Sequence, residues 1–312
     1  LLMPEDLLSQ TSILARLRDA MPEDDCKDVE IIGWLYQFYI SEKKDEVIDK
    51  VVESEDIPAA TQLFTPNWIV KYLVQNSLGR QWMATYPESP LKAKMEYYIE
   101  PAEQTEEVQA KLAEITPDAL NPEELTLLDP ACGSGHILVE AYDLLKAIYQ
   151  ERGYRAKDIP RLILEKNLYG LEIDDRAAQL AAFALIMKAR ADDRNIFERD
   201  AQPHVLSIQE SKGLDAAEIT EALNAPLPDG STGNIKQADV EHLIELFEEG
   251  KTFGSLIQVP KQLAENLERV AERAVATAKT GDMLARPYAS SLIPLTTQSS
   301  MLAKKYEAVV AN

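Results

Sequence analysis

The chain has 312 residues, of which 53 are acidic and 32 basic, and its formal net charge at pH 7 is −21. A field of this sign repels polyanions at long range, which excludes a surface-wide basic footprint for nucleic acid. Because 46% of the residues are hydrophobic, the chain can bury a core. At roughly 100–200 residues per domain, the length predicts about two domains.

Membrane insertion and secretion are not expected from this sequence. Its apolar runs fall short of the roughly 18 residues that a membrane-spanning helix needs. We see no basic head followed by an apolar stretch at the start, so no secretory signal is predicted. Two cysteines in a chain of this length favour a reducing compartment over a disulfide scaffold. We therefore expect a cytoplasmic protein that does not contact a membrane.

Residues 1–58 are predicted to form a small N-terminal helical domain, because their apolar side chains recur at helical spacing. Within the stretch IIGWLYQFYI, core or inter-domain packing is favoured over base stacking because no basic residues interleave the aromatic ones. The aromatic residues concerned are Trp34, Tyr36, Phe38 and Tyr39. The segment Ser54–Ala60 contains Pro58 and is predicted to be a linker. A second domain would then occupy residues 59–312.

The second domain is predicted to open with a helix capped by Thr65, with Pro66 at its first position and Gly79 at its end. Residues 100–124 follow, with eight acidic side chains against Lys111 alone. Such a charge run is typical of a solvated surface segment.

Strands and helices then alternate, a pattern that predicts an α/β fold with a parallel sheet. An insertion is predicted around residues 212–280, between the third strand and the fourth. The predicted strands are 125–128, 168–173, 204–208 and 306–311, and the predicted helices are 137–150, 176–190 and 261–280.

The strongest motif is LLDPACGSGHIL, residues 127–138. Gly133 and Gly135 stand where a strand turns into a helix, so the backbone can approach a ligand closely beside free N–H groups. The sequence lacks the Gly-Lys-Ser/Thr ending of a phosphate-binding loop, which disfavours a nucleoside triphosphate. This motif predicts a cofactor cradle.

The second motif is LYGLEIDD, residues 168–175. Glu172 falls at the carboxyl end of the second strand, where a carboxylate can accept hydrogen bonds from both hydroxyls of a ribose. Asp174 and Asp175 directly precede a helix and fit the ordinary role of acids at a helix start. The pair of motifs therefore predicts a cofactor that contains a nucleoside.

Together with FTPNWIVKYLV at residues 64–74, these motifs resemble the S-adenosylmethionine-dependent adenine-specific DNA methyltransferases. The stretches IIGWLYQFYISEKKDEV and TQLFTPNWIV resemble, more narrowly, the BREX phage-defence methyltransferases of the PglX type. The resemblance implies a class I Rossmann-like parallel sheet, truncated after its fourth strand, behind the small helical domain. It also implies site-specific transfer of a methyl group to the exocyclic amine of adenine in DNA, which marks host DNA as self.

The resemblance also implies roles for individual residues. Phe64, Thr65 and Pro66 would approach the methionine carboxylate of S-adenosyl-L-methionine, while Glu172 would hold its ribose and Ile173 would pack on its adenine. The residue that bonds the adenine amine is not uniquely aligned, and Gln209 and Glu210 are both candidates. The methionine portion and its ammonium would be held by Asp129, Pro130, Ala131, Cys132, Gly133 and Gly135.

In the resembled family, an Asn-Pro-Pro-aromatic motif follows the fourth strand, and its first side chain accepts a hydrogen bond from the amine of a flipped adenine. By resemblance, Asn312 is that first, catalytic residue, and the sequence stops inside the motif. We expect double-stranded DNA to be contacted mainly through a further C-terminal part. Other phage-defence proteins are expected as partners, and the 312-residue chain alone is expected to be inactive.

Two other functions stay open at this stage. The same motif can serve an amine in RNA or in protein, and the chain could be a non-catalytic scaffold that binds a basic partner through its acidic surface.

No metal is expected, because His136, His204 and His242 show no ligand spacing. Cys132 is interpreted as a small packing residue and not as a nucleophile.

Overall fold

The computed structural model describes residues 6, 9–22, 24, 30–47, 50–53, 56–62 and 65–312. Phe64, which the sequence places at the cofactor site, lies outside the described residues. The helices that precede the sheet are α1 (Ile13–Ala20), α2 (Glu30–Val47), α3 (Ile57–Thr61), α4 (Asn67–Asn76), α5 (Leu78–Thr85) and α6 (Glu106–Ile115).

The sheet region alternates strands and helices as predicted. Its elements are β1 (Leu127–Asp129), α7 (His136–Glu151), α8 (Ile159–Leu162), β2 (Leu168–Glu172), α9 (Asp175–Asp192) and β3 (His204–Ser207). After β3 come α10 (Ala216–Asn224), α11 (Gln237–Leu246), α12 (Gly250–Phe253), α13 (Lys261–Thr280), α14 (Ala285–Ala303) and β4 (Ala308–Val309).

The described strands form one four-stranded sheet in the order β3-β2-β1-β4, and every neighbouring pair is parallel. Leu127 is paired with Leu168 on one side and with Ala308 on the other. The predicted α/β fold with a parallel sheet is confirmed. Because the chain order reverses beside β1, a crevice opens at the carboxyl ends of β1 and β4, where open α/β sheets place their ligands.

Hydrophobic helices cover both faces of the sheet. Leu127 and Leu168 point into a core that they share with α4, α7 and α9. The next residues, Leu128 and Tyr169, point into a second core with α10, α11, α13 and α14. This alternation follows the period of two in a strand and explains why the strands read as continuous apolar runs.

The predicted helix 261–280 has the bounds of α13, whereas α14 was not predicted. Its 19-residue sequence has Pro294 in its interior and is rich in serine and threonine, all of which weaken a helix signal. Packing overrides that signal, because Ala289, Leu292 and Leu295 of α14 are buried against α13 and the sheet.

Three local predictions before the sheet are wrong. Residues 57–60 belong to α3 and not to a linker, because Pro58 in a first helical turn forfeits no hydrogen bond that a helix could use. Helix α4 is capped by Pro66 with no side-chain bond, so Thr65 precedes the cap, and its hydroxyl accepts a hydrogen bond from Asn312 instead. Gly79 does not end α4 but lies inside α5, packed against Met95.

The aromatic side chains of helix α2 differ in burial. Tyr36 is buried as predicted, whereas Trp34, Phe38 and Tyr39 are 43%, 72% and 64% exposed. The core-packing prediction is therefore wrong for those three side chains, although Tyr39 stacks on Tyr36 and lies beside Arg176 at the surface. As predicted, α6 within the acidic segment has no buried residue. The boundary between residues 58 and 59 stays a prediction, as does the insertion around 212–280.

Candidate active site

A cavity of about 360 Å³ lies at the carboxyl ends of β1, β2 and β4. This volume is within the range of roughly 300–1,000 Å³ usual for small-molecule sites. Most of the side chains that the sequence assigns to the site line it together. They are Thr65, Asp129, Pro130, Ala131, Cys132, Gly133, Glu172, Ile173 and Asn312.

The loop between β1 and α7 has the shape of a cradle. Gly133 and Gly135 adopt φ angles of 52° and 90°, a left-handed region that other residues rarely occupy. A Cβ on Gly133 would meet nothing within 4 Å, so the loop leaves open space beside its backbone. At Gly135, by contrast, a Cβ would lie 3.0 Å from Ala181 of α9. Gly133 thus keeps room at the cavity, and Gly135 permits close packing of α7 on α9.

Glu172 joins this cradle to the turn after β2. Its Oε2 accepts a hydrogen bond from Gly133 N at 2.7 Å, while its Oε1 accepts from Ile173 N at 2.9 Å and Asp174 N at 3.1 Å. The side chain is buried, and burial raises its pKa above the ordinary value even though these N–H groups favour the ionised form. Oε2 keeps one lone pair for a further donor.

Asp129, at the end of β1, is the most deeply buried acid of the cavity. It is 1% exposed, and its Oδ1 accepts a hydrogen bond from Ala131 N at 3.2 Å. Burial, reinforced by the negative charge of Glu172, raises the pKa of Asp129 to about 7. Two carboxylates therefore face a cavity that no lysine or arginine lines in the part of the chain that the structure describes.

Asn312 reaches the same cavity from the end of β4. Its Nδ2 donates a hydrogen bond to the hydroxyl oxygen of the buried Thr65 at 2.8 Å. The Asn312 side-chain oxygen is thereby left for another donor, and the Thr65 hydroxyl can still donate its own proton.

Cys132 is buried beside the two carboxylates. Burial raises the pKa of its thiol, and the charges of Asp129 and Glu172 raise it further, so the thiolate that a nucleophile requires is disfavoured. Its backbone N donates to Leu171 O at 2.9 Å and thereby ties the cradle to β2.

Three described residues that the sequence assigns to the cofactor do not line the cavity: Pro66, Gly135 and Gln209. The Gln209 amide donates to Asp175 Oδ1 at 3.0 Å, and its backbone pairs with the side chain of Gln298. The other candidate, Glu210, is in an ion pair with Lys212 at 3.2 Å. The residue that would bond the cofactor's adenine amine stays a prediction.

The sequence did not predict two walls of the cavity. One wall comes from α2, through Gly33, Tyr36 and Gln37, and the other from residues 252–255, which follow a long excursion of the chain. The signals available in the sequence were Gly33, an isolated glycine within a helical pattern, and Gly254, which adopts a φ of 55° in the structure. Periodicity alone does not tell which distant segment will cover a cavity.

Within the described ranges, no group of three or more His, Cys, Asp or Glu side chains is placed to hold a metal ion. None of the described helices combines the length and apolarity needed to cross a membrane.

Comparison with known proteins identifies the relatives of this chain. The family described as "MmeI, DNA-methyltransferase domain" matches residues 102–224, a range that includes β1, β2 and the carboxylates at their ends. The chain is 58% identical to the "Adenine-specific methyltransferase BrxX" of Escherichia coli O9:H4 (strain HS), in an alignment that covers 100% of this chain and 27% of that protein.

The chain is a homologue of adenine-specific methyltransferases. A second relative, the "Adenine-specific methyltransferase PglX" of Lacticaseibacillus casei (strain Zhang), is 37% identical over 88% of this chain and 23% of its own length. The resemblance to adenine-specific methyltransferases that the motifs indicated is confirmed, and the parallel sheet with helices on both faces is consistent with a Rossmann-like methyltransferase fold. The chain spans about a quarter of the length of these relatives.

Proposed function

We propose that this chain carries the cofactor-binding part of a site-specific DNA adenine methyltransferase, with S-adenosyl-L-methionine as methyl donor and the exocyclic amine of adenine as acceptor. The biological role would be to mark host DNA as self in a BREX or restriction-modification type of phage defence. Similarity to BrxX and PglX supports the reaction class. The cavity at the ends of β1, β2 and β4 supports the place of binding.

The observation that carries the proposal is the charge of the cavity. Asp129 and Glu172 are both buried in its wall, where an isolated carboxylate is unfavourable, and no lysine or arginine lines it among the described residues. Buried charges are normally paired, so this donor set fits a ligand that brings positive charge and hydroxyl groups. S-adenosyl-L-methionine has an ammonium, a sulfonium and a ribose diol.

The residues divide among the parts of this ligand. Asp129 with the cradle of residues 130–133 would hold the methionine ammonium, and the free lone pair on Glu172 Oε2 would accept one ribose hydroxyl. A second ribose hydroxyl would have to displace a backbone N–H from Glu172. Ile173 would pack on the adenine, and Thr65 beside Phe64 and Pro66 would donate to the carboxylate.

When bound, the cofactor supplies a methyl group made electrophilic by its sulfonium. The protein then has to hold the target amine in line with that methyl group and to stabilise the positive charge that develops on nitrogen. The side-chain oxygen of Asn312, on an amide held by Thr65, would accept a hydrogen bond from such an amine. Asn312 is therefore the proposed catalytic residue.

Duplex DNA is the proposed substrate, together with other phage-defence proteins as partners. The net charge of −21 opposes DNA binding by these 312 residues, so we place the DNA-binding surface in other parts of the protein. The relatives extend well beyond the aligned region, which leaves length for such a surface.

Isothermal titration of the chain with S-adenosyl-L-methionine and with S-adenosyl-L-homocysteine tests the cofactor assignment. We expect binding by the unaltered chain, a loss of roughly tenfold or more in Glu172→Ala, and no change in the exposed Glu114→Ala control. Absence of binding by the unaltered chain would favour a scaffold. Equal binding by Glu172→Ala would refute the ribose assignment.

The acceptor is tested with the full-length protein and labelled S-adenosyl-L-methionine offered with duplex DNA, RNA or protein. The proposal expects label in the N6 position of adenine in DNA, lost in Asn312→Ala. Label found instead in RNA or in protein would replace DNA as the acceptor and keep the cofactor site.

A further inference from the structure

Helix α2 reaches the cavity from a part of the chain that none of the cofactor motifs includes. Gly33, Tyr36 and Gln37 line the cavity together with the cradle. Gly33 and Tyr36 are three positions apart and both are buried, so they lie on the same face of the helix.

Gly33 brings the backbone of α2 against the start of α7. A Cβ built at this position would lie 2.1 Å from Cε1 and 2.5 Å from Nε2 of the His136 ring, and 2.8 Å from Oγ of Ser134. Real Cβ atoms essentially never show contacts this short, so an alanine would have to displace the His136 ring and the Ser134 side chain, or separate the helix from the cradle. Glycine allows this approach with both side chains left in place.

Tyr36 ties the same helix face to the turn that holds Glu172. Its hydroxyl donates a hydrogen bond to Asp174 Oδ1 at 3.0 Å, and Asp174 N donates to Glu172 Oε1 at 3.1 Å. Burial, followed by the charge of Asp174, raises the pKa of the Tyr36 phenol, which therefore stays protonated as a donor at neutral pH. Asp174 also caps α9 by accepting from Arg176 N and Ala177 N, each at 2.8 Å.

Further contacts hold α2 along its length. Arg176 Nη1 donates to the Tyr39 hydroxyl at 3.1 Å, and Lys44 Nζ donates to Gln62 O at 2.8 Å, beside the cavity. The helix therefore contacts both loops that form the cavity, the one after β1 through Gly33 and the one after β2 through Tyr36.

We propose that α2 is a structural wall of the cofactor site, and that Gly33 and Tyr36 are positioning residues that set the cradle and the Glu172 turn for a bound S-adenosyl nucleoside. This inference rests on the proposed function of the cavity. It makes the helical N-terminus part of the binding site, so that cofactor affinity depends on the docking of α2.

The first test is titration of the full chain with S-adenosyl-L-homocysteine. We expect Gly33→Ala to weaken affinity by roughly tenfold or more, although alanine favours an isolated helix over glycine. Tyr36→Phe keeps the ring and removes only the bond to Asp174, and we expect a loss of roughly three- to tenfold. Glu42→Ala, at an exposed position of α2, is the matched control and should bind as the unaltered chain does.

Rescue separates positioning from general damage. His136→Ala removes the ring that the new Cβ meets, so Gly33→Ala combined with His136→Ala should bind more tightly than the sum of the two single losses predicts. Additive losses would show that Gly33 does not act through the cradle. If circular dichroism shows that Gly33→Ala does not fold, the affinity of Tyr36→Phe for S-adenosyl-L-homocysteine decides whether the proposal holds.

Hydrogen exchange gives a readout that needs no ligand. Amides 33–40 of α2 and 173–177 of the Glu172 turn should exchange faster in Gly33→Ala than in Glu42→Ala, and in the unaltered chain the ligand should slow both groups. Unchanged affinity in both Gly33→Ala and Tyr36→Phe would overturn the proposal. No binding by the unaltered chain would refute the cofactor assignment instead, while exchange without ligand would still report whether α2 holds the turn.

Discussion

The side-chain amide of Asn312 donates a hydrogen bond to the hydroxyl of Thr65 at 2.8 Å, across 247 positions of sequence. This bond joins the residue after β4 to the segment that leads into α4, and both side chains line the cavity. Asn312 belongs to the proposed site for the target amine and Thr65 to the proposed site for the methionine carboxylate, so this hydrogen bond links the two sites.

The Thr65 hydroxyl should matter for catalysis more than for stability. In Thr65→Val the shape is kept and the bond to Asn312 is lost, so the amide is no longer held in place. We expect kcat/KM for DNA methylation by the full-length protein to fall by roughly fivefold, because one such bond is worth about 1 kcal/mol. Thr65→Ser restores the hydroxyl and serves as the control. Equal rates for the valine and serine variants would argue against a role for this bond.

Asp129 should make stability depend on pH. Its pKa is about 7 in the folded chain and 3.8 for an ordinary aspartate, so its contribution to stability is complete below pH 3.8 and is lost as the pH rises to 7. Asparagine does not ionise. We therefore expect the Tm of Asp129→Asn, relative to the unaltered chain, to increase between pH 4 and 7 and to stay constant above.

The control for this measurement is Asp118→Asn at an exposed position. A flat Tm difference from pH 4 to 8 in Asp129→Asn would contradict the raised pKa. The same acid should couple to cofactor binding, because an ammonium beside Asp129 lowers its pKa. Affinity for S-adenosyl-L-homocysteine should then weaken below pH 7, by at most about tenfold per pH unit, and Asp129→Asn should flatten that dependence.

Gln298 continues the hydrogen bonding of the sheet from a helix. Its Oε1 accepts from Gln209 N and its Nε2 donates to Gln209 O, both at 2.9 Å, and the side chain is 1% exposed. Gln298→Ala leaves both backbone groups without these bonds. We expect a loss of about 2–4 kcal/mol in the free energy of unfolding by urea. Gln262→Ala, at an exposed position of α13, makes the same chemical change and should be neutral.

Asn167 fixes the start of β1. It is fully buried, accepts from the Tyr149 hydroxyl at 2.9 Å, and donates to Pro122 O at 2.7 Å and to Leu125 O at 2.8 Å. We expect Asn167→Ala to lower the free energy of unfolding by about 3–5 kcal/mol, and Tyr149→Phe, which removes one of the bonds, by about 1 kcal/mol. Asn234→Ala, at an exposed position, is the control. Equal losses in Asn167→Ala and Tyr149→Phe would show that the two carbonyl bonds contribute nothing.

The sequence predicted the elements whose signals are local. The cradle, β2 and α9 follow from glycines, an apolar run and the Asp174 cap, all within a few residues of one another. Long-range packing decided what was missed. Helix α14 forms despite Pro294 because its apolar face is buried, and Gln209 turns to Asp175 because Gln298 fixes its backbone.

The walls of the cavity illustrate the same limit. In the sequence, Tyr36 looks like any aromatic residue that packs in a core. Only the folded structure brings Asp174 beside its hydroxyl and gives that hydroxyl a partner at the site. Phe253 lies on the cavity because α12 follows the excursion after β3, a placement that no periodicity encodes.

The separation of β3 from β4 in the chain has a kinetic consequence. About a hundred residues lie between them, and β4 lies at the opposite edge of the described sheet from β3, where it pairs with β1. Closing so long a loop is entropically unfavourable until the intervening helices have packed, so β4 should be added late during folding. Asn312 then arrives after the cradle and Glu172 are in place, and the ability to hold a target amine becomes a late product of the folding pathway.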